Sequence, residues 1–319
     1  MSDVTERLRH LRIPAMQAPM FLISGPEMVI NACDAGVVGC FPAPNARTVE
    51  TLDQWMADIK SANCANEKAA PWAVNLIVHP TYPRRDAELE LVLKHKPPIV
   101  VTALGSPKHV VEQVHSYGGI VLADVVSPRF ARKAVASGAD GLILICVGAG
   151  GHTGYLSPFA FISEVRQWWD GLLVLGGGIG TGSAIHATQT MGADIAYLGT
   201  RFIPTAESLC QSEYKQMVAD SHAGDIVTSD AITGVKANWM RQSLVNGGYD
   251  PDDMPSQGSI DFASNGSDNK RWKDIWAAGQ GVGASQSVSD VATIVRELES
   301  EYLASIERMP DLKNAILRG

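Results

Sequence analysis

Short apolar runs recur along the chain at intervals of roughly 20–30 residues, each followed by a segment of helical character. The runs are Ile13–Pro19, Val37–Phe41, Trp72–Val78, Ile99–Thr102, Ile120–Val125, Gly141–Val147, Leu172–Leu175 and Asp194–Leu198. Most are continuously apolar rather than alternating, as strands of a parallel sheet covered on both faces are. The segments between them carry helix punctuation. Pro26 follows Ser24-Gly25 inside a first turn, and Ser106-Pro107 and Ser127-Pro128 repeat the device. Gly118, Gly138 and Gly192 stand where such helices would end. Eight βα units with right-handed crossovers predict an α/β fold, a closed (β/α)8 TIM barrel over residues 1–219. An open doubly wound sheet would need a phosphate-binding glycine turn after the first strand, and Gln17-Ala18-Pro19-Met20 is not one.

From about Asp220 to Trp276 the pattern turns polar, with turns expected at Asp250–Asp253 and at Ser264–Asp268. Gly279-Gln280-Gly281-Val282-Gly283 then leads into an amphipathic helix from Ser287 to about Ile306. The expectation is an insertion, 220–276, covering the barrel mouth. A C-terminal segment, 277–319, would complete the barrel with a closing helix whose apolar face offers a homodimer contact.

Composition narrows the function classes. At 45% hydrophobic and 19% charged, the chain is an ordinary globular protein. Its 26 basic against 34 acidic residues give −8, which argues against sequence-independent nucleic-acid binding. The short basic clusters Arg7–Arg12 and Lys94–Lys96 read as solvated helix faces. Five cysteines without a Cys-x-x-Cys pair indicate reduced thiols. The charged start precedes any apolar run, and no run approaches the ~18–20 apolar residues of a membrane span. A soluble, cytoplasmic protein is expected.

In a TIM barrel the chemistry sits at the C-terminal ends of the strands. Those ends are Gln17 to Met20, Asn75, Asp124, Gly148–Gly154, Gly176–Gly182 and Gly199-Thr200. The glycines after the seventh and eighth strands let backbone N–H groups approach an anion beside a helix N-terminus, the usual phosphate site of such barrels. Tight turns alone would also account for them. His152, among glycines at a strand end, is the candidate base, because an imidazole titrates near neutral pH. The other histidines fall in helices or loops and show no metal-ligand spacing. No lysine lies at a strand end for a Schiff base, and Asp124 is the one carboxylate there, too few for a metal isomerase or a two-carboxylate glycosidase. Cys146 reads as core. A phosphate-anchored cofactor assisted by one histidine remains.

Gln17-Ala18-Pro19-Met20, Gly150-Gly151-His152-Thr153-Gly154, Gly177–Gly182 and Gly199-Thr200-Arg201-Phe202 occur in the order seen in nitronate monooxygenases. Thr233-Gly234, Ala237-Asn238 and Ala278–Gly283 extend the match, so the chain resembles that FMN-dependent family over nearly its whole length. The resemblance implies that Gly180, Thr181, Gly199 and Thr200 hold the FMN phosphate, with Gly178 also among the cofactor-binding residues. It places Ala18, Pro19, Met20 and Asn75 along the ribityl and ring, with Gly150, Gly151 and Gln280 close by. His152 corresponds to the family's base or substrate-orienting histidine. Many members carry a lysine where this chain has Asp124, and an ionised carboxylate there would oppose an anionic reduced flavin.

The activity expected is FMN-dependent oxidation of alkyl nitronates by dioxygen to a carbonyl compound and nitrite. The alternative is an FMN-dependent NAD(P)H:quinone or enoyl-thioester reductase on the same barrel. A barrel binding a phosphorylated metabolite without redox chemistry is a third reading. Phe21, Leu22, Phe41, Tyr155 and Trp239 are aromatic and apolar candidates for a substrate pocket, with core packing as their other reading.

Overall fold

A computed structural model of the chain describes residues 3–256 and 274–317. Eight parallel strands form one sheet: β1 (Ala15–Gln17), β2 (Gly39–Pro42), β3 (Trp72–Ile77), β4 (Ile99–Ala103), β5 (Ile120–Val125), β6 (Gly141–Ile145), β8 (Leu172–Gly176) and β9 (Ile195–Leu198). Their order is β1-β9-β8-β6-β5-β4-β3-β2. The two ends meet where Gln17 N donates to the Val38 carbonyl at 2.8 Å and Val38 N to the Ala15 carbonyl at 3.2 Å, next to a Met16–Val38 bridge. The expected TIM barrel is thus formed, with all eight strands near their expected positions. The first is shorter than its apolar run, because Pro14 and Pro19 have no N–H to give to a ladder.

The continuous apolar runs bury both strand faces. Inward residues Met16, Val38, Ala73, Ile99, Val101, Leu122, Ile143, Val174 and Tyr197 fill the barrel. Outward residues such as Val74, Val100, Leu144 and Leu175 pack under the helices. A short N-terminal helix, Asp3–Arg9, brings Val4 against the interior cluster. The basic clusters Arg7–Arg12 and Lys94–Lys96 are mostly exposed, as expected, with several of their charges partnered. Arg7 donates to the Ala69 carbonyl at 3.1 Å, Arg12 pairs with Glu299 at 2.7 Å, and Lys94 pairs with Asp53 at 2.7 Å.

The last helix, Val291–Leu317, packs between helices Gly182–Thr190 and Pro26–Asp34, the slot of an eighth barrel helix. It begins four residues later than the pattern suggests and runs further. Between β9 and that helix the chain forms β10 (Ile226–Ser229) and β11 (Ala237–Met240), an antiparallel pair. Strand β11 also pairs with β7, the two residues Gly151–His152. The turn expected at Asp250–Asp253 is present, through Asp253 N donating to the Asp250 carbonyl at 3.1 Å. That expected at Ser264–Asp268 lies outside the described residues. Among the described residues no helix is long and apolar enough to cross a membrane.

Candidate active site

The C-terminal ends of the eight strands open at one mouth, where side-chain amides hold the loop after β1. Buried Gln17 donates to Ser24 Oγ and accepts from Cys40 N, both at 3.0 Å, joining β1 to β2. Asn45 accepts from Leu22 N at 2.8 Å and donates from Nδ2 to the carbonyls of Met20 and Ser24 at 2.9 and 2.8 Å. Leu22 has φ +63, a left-handed conformation that a branched residue rarely takes, and Asn45 pins it there. Ala18, Pro19 and Met20 are therefore positioned by a bonded frame.

After β6 the chain turns through Cys146–Gly150 and returns as β7, with Ala237 opposite His152 and Asn238 opposite Gly151. Buried Asn238 donates from Nδ2 to the Ala149 carbonyl at 2.8 Å and accepts from the Thr228 hydroxyl. Thr153 donates its hydroxyl to the Cys146 carbonyl at 3.0 Å. His152 thus rides on backbone clamped from both sides. Its side chain is accessible, yet enough protein surrounds it that desolvation lowers its pKa to about 4. The imidazole is neutral at physiological pH.

The inner wall below His152's loop carries polar groups in an otherwise apolar barrel. Asp124, two residues beyond Leu122 on β5, faces inward and interacts electrostatically with Tyr197 of β9 and Cys40 of β2. Asp124 Oδ1, Asn75 Nδ2 and the Tyr197 hydroxyl are buried with no hydrogen-bond partner among the described residues. Native proteins rarely leave such atoms orphaned without a ligand or water to meet them. Burial raises the Asp124 carboxyl to about 7 and moves the Tyr197 phenol upward.

On the adjoining side, Gly178 has φ +73 and no heavy atom within 4 Å of where a Cβ would stand, so bare backbone faces open space. Gly199 lies beside Met20 and Ala18, whose atoms come within 3.5 to 3.8 Å of its missing Cβ. The turn Gln280–Ala284 closes over this region. Gly279 N donates to Thr200 Oγ1 at 2.8 Å and Gln280 N to the Gly148 carbonyl at 2.9 Å. Gly180 packs against Gly281, and Gly150 against Gly279. Thr181 is differently engaged: its hydroxyl caps its own helix by accepting from Ala184 N at 3.2 Å. The next donor, Gly182 N, binds Glu301 of the C-terminal helix at 2.6 Å.

The fold therefore gathers Ala18, Pro19, Met20, Asn75, Asp124, Gly150, Gly151, His152, Gly178, Gly180, Gly199, Thr200 and Gln280 at one end of the barrel. Three orphaned polar atoms beside a side-chain-free backbone cradle fit a planar polar ring with an anionic tail. Two pocket candidates do not belong there. Phe41 and Trp239 are fully buried in apolar clusters, so packing is their role. Tyr155 is exposed. Cys146 is buried, and desolvation pushes its thiol up to about 12, which removes it as a nucleophile. Among the described residues no three His, Cys, Asp or Glu side chains group as metal ligands. Asn45 and Tyr197 were missed at the sequence level. Inward parity with Gly199, the residue just past β9, is the signal that would have found Tyr197, whereas Asn45 acts through tertiary contacts that no periodicity reports.

The sequence model of the family described as nitronate monooxygenase matches residues 4–301. The chain belongs to the nitronate monooxygenase family. It is accordingly an oxidoreductase. A nitronate monooxygenase of Paraburkholderia phytofirmans is 26% identical over 350 aligned positions, covering 94% of this chain and 95% of that protein. Solved structures with the same barrel include FabK from Thermotoga maritima, at TM-score 0.79 and 21% identity over 98% of this chain and 99% of that one. A nitroalkane oxidase from Streptomyces ansochromogenes superposes at TM-score 0.76 and 24% identity, covering 94% and 99%.

Proposed function

We propose that this member of the nitronate monooxygenase family oxidises alkyl nitronates with dioxygen to a carbonyl compound and nitrite, using FMN. The observation that carries the reading is His152, a neutral imidazole on clamped backbone at the strand-end mouth of the barrel. FMN, when bound, supplies the electron acceptor for the substrate and passes the electrons on to dioxygen. The backbone at Gly178, Gly180, Gly199 and Thr200 would hold its phosphate, with Asn75, Asp124 and Tyr197 toward its ring. Thr181 serves that end indirectly, by capping the helix that follows the loop.

His152 has two tasks open to it, and its protonation state suits both. A neutral imidazole can take the α-proton of a nitroalkane, and its N–H can hold the oxygen of a nitronate formed in solution. Replacing His152 by Ala should slow turnover of the neutral nitroalkane by about 10²–10⁴-fold. Preformed nitronate bypasses the proton transfer and should lose far less. An H152A enzyme equally fast on the neutral nitroalkane would overturn the role.

A further inference from the structure

The wall of the mouth contains one ionisable group that proton abstraction by His152 does not use. Asp124 is half-buried at the barrel mouth, and its Oδ1 is buried with no hydrogen-bond partner among the described residues. The titratable groups that face it are the phenol of Tyr197 from β9 and the thiol of Cys40 from β2, and burial moves both toward their neutral forms. Strand β3 presents Asn75, β4 presents Val101 and β6 presents Ile143, none of them titratable. Among the described residues no cation faces Asp124 and nothing donates to its Oδ1. An uncompensated charge out of water is unfavourable, so such a group sheds the charge instead.

We infer that Asp124 stands in the wall as the neutral carboxylic acid, and that its O–H is a hydrogen-bond donor to the ring edge of the flavin. This rests on the FMN reading. The pyrimidine edge of an isoalloxazine is rich in acceptors, with two carbonyl oxygens and a ring nitrogen. Asn75 Nδ2 and the Tyr197 hydroxyl are orphaned donors on the same wall. A protonated Asp124 adds a third donor, whereas the ionised form would set a negative charge against the carbonyl oxygens. Desolvation holds the proton up to about pH 7, and above that the group ionises. The mouth therefore changes from donor to repelling anion across neutrality.

Flavin-free protein titrated with FMN at pH 6 and pH 9, read by quenching of flavin fluorescence, tests this against Asp124→Asn. The asparagine keeps the shape and cannot ionise. Wild-type affinity should fall at least tenfold more than that of D124N between the two pH values, since linkage gives about tenfold per pH unit once the group ionises. Infrared difference spectra at pH 6 should show a protonated-carboxyl C=O band in the wild type that is missing from D124N. Superimposable affinity profiles, or absence of the band, would overturn the role of Asp124 while FMN still binds. If neither protein binds FMN at any pH, the cofactor reading fails and this role with it.

Discussion

At the residue scale, two titratable groups at one mouth shift in opposite directions for one cause, the protein packed around them. Desolvation disfavours the charged form, so it lowers His152 to about 4 and raises Asp124 to about 7. For Asp124 the folded value lies above the reference value of 3.8. Its contribution to stability is therefore complete below that reference and is lost as pH rises through the folded pKa. Asp124→Asn should raise the thermal midpoint of the flavin-free protein more at pH 8 than at pH 4, and the reverse order would contradict the assignment. For His152 the sign is opposite. The unfolded chain protonates first as pH falls below 6.5, so native stability declines from there towards pH 4. His152→Asn should flatten that acid limb, which melts at pH 5 against pH 8 would reveal. Both residues were legible as strand-end chemistry. Their protonation states were not, because these depend on the enclosing barrel. A lone Asp124 in sequence reads as a carboxylate; desolvation by the folded barrel is what raises it.

At the element scale, the strand set was legible because parallel strands covered on both faces are apolar at nearly every position. Strand β7 was not. Gly151–His152 reads as loop, and becomes a strand only because β11, some eighty residues later, supplies its partner. Asn238 anchors that pairing through the Ala149 carbonyl. Asn238→Ala should destabilise the protein by about 1–3 kcal/mol, the cost of leaving buried partners unpaired. It should also lower kcat by misaiming His152. Denaturant melts with steady-state kinetics would measure both, and unchanged kcat would show that β7 holds its shape without the clamp. A second element-level dependence is the fit of helix Gly182–Thr190 to the C-terminal helix. A Cβ on Gly182 would stand 2.1 Å from the Leu298 carbonyl oxygen and 2.3 Å from Tyr302 N. Gly182→Ala should cost at least the ~1–3 kcal/mol of an overpacked core, seen as a lower denaturation midpoint. The close contact of Gly182 is with another helix.

At the scale of the whole molecule, the barrel is completed by distant parts of the chain. Its last helix occupies the slot of an eighth barrel helix, and the Gln280–Ala284 turn just before it lies over the glycines after β6 and β8. A closing helix was legible from the amphipathic pattern after Ser287, and its slot required the packing. The proposed reaction at this mouth is oxidation of an alkyl nitronate, with His152 and the three orphaned polar atoms at the same ends of the strands. The rival, a reductase fed by NAD(P)H, would use the same barrel and the same flavin. Anaerobic stopped-flow mixing separates them. Flavin absorbance should bleach rapidly with an alkyl nitronate and stay unchanged with NADH or NADPH. Rapid bleaching by a reduced nicotinamide, with none by nitronate, would contradict the account.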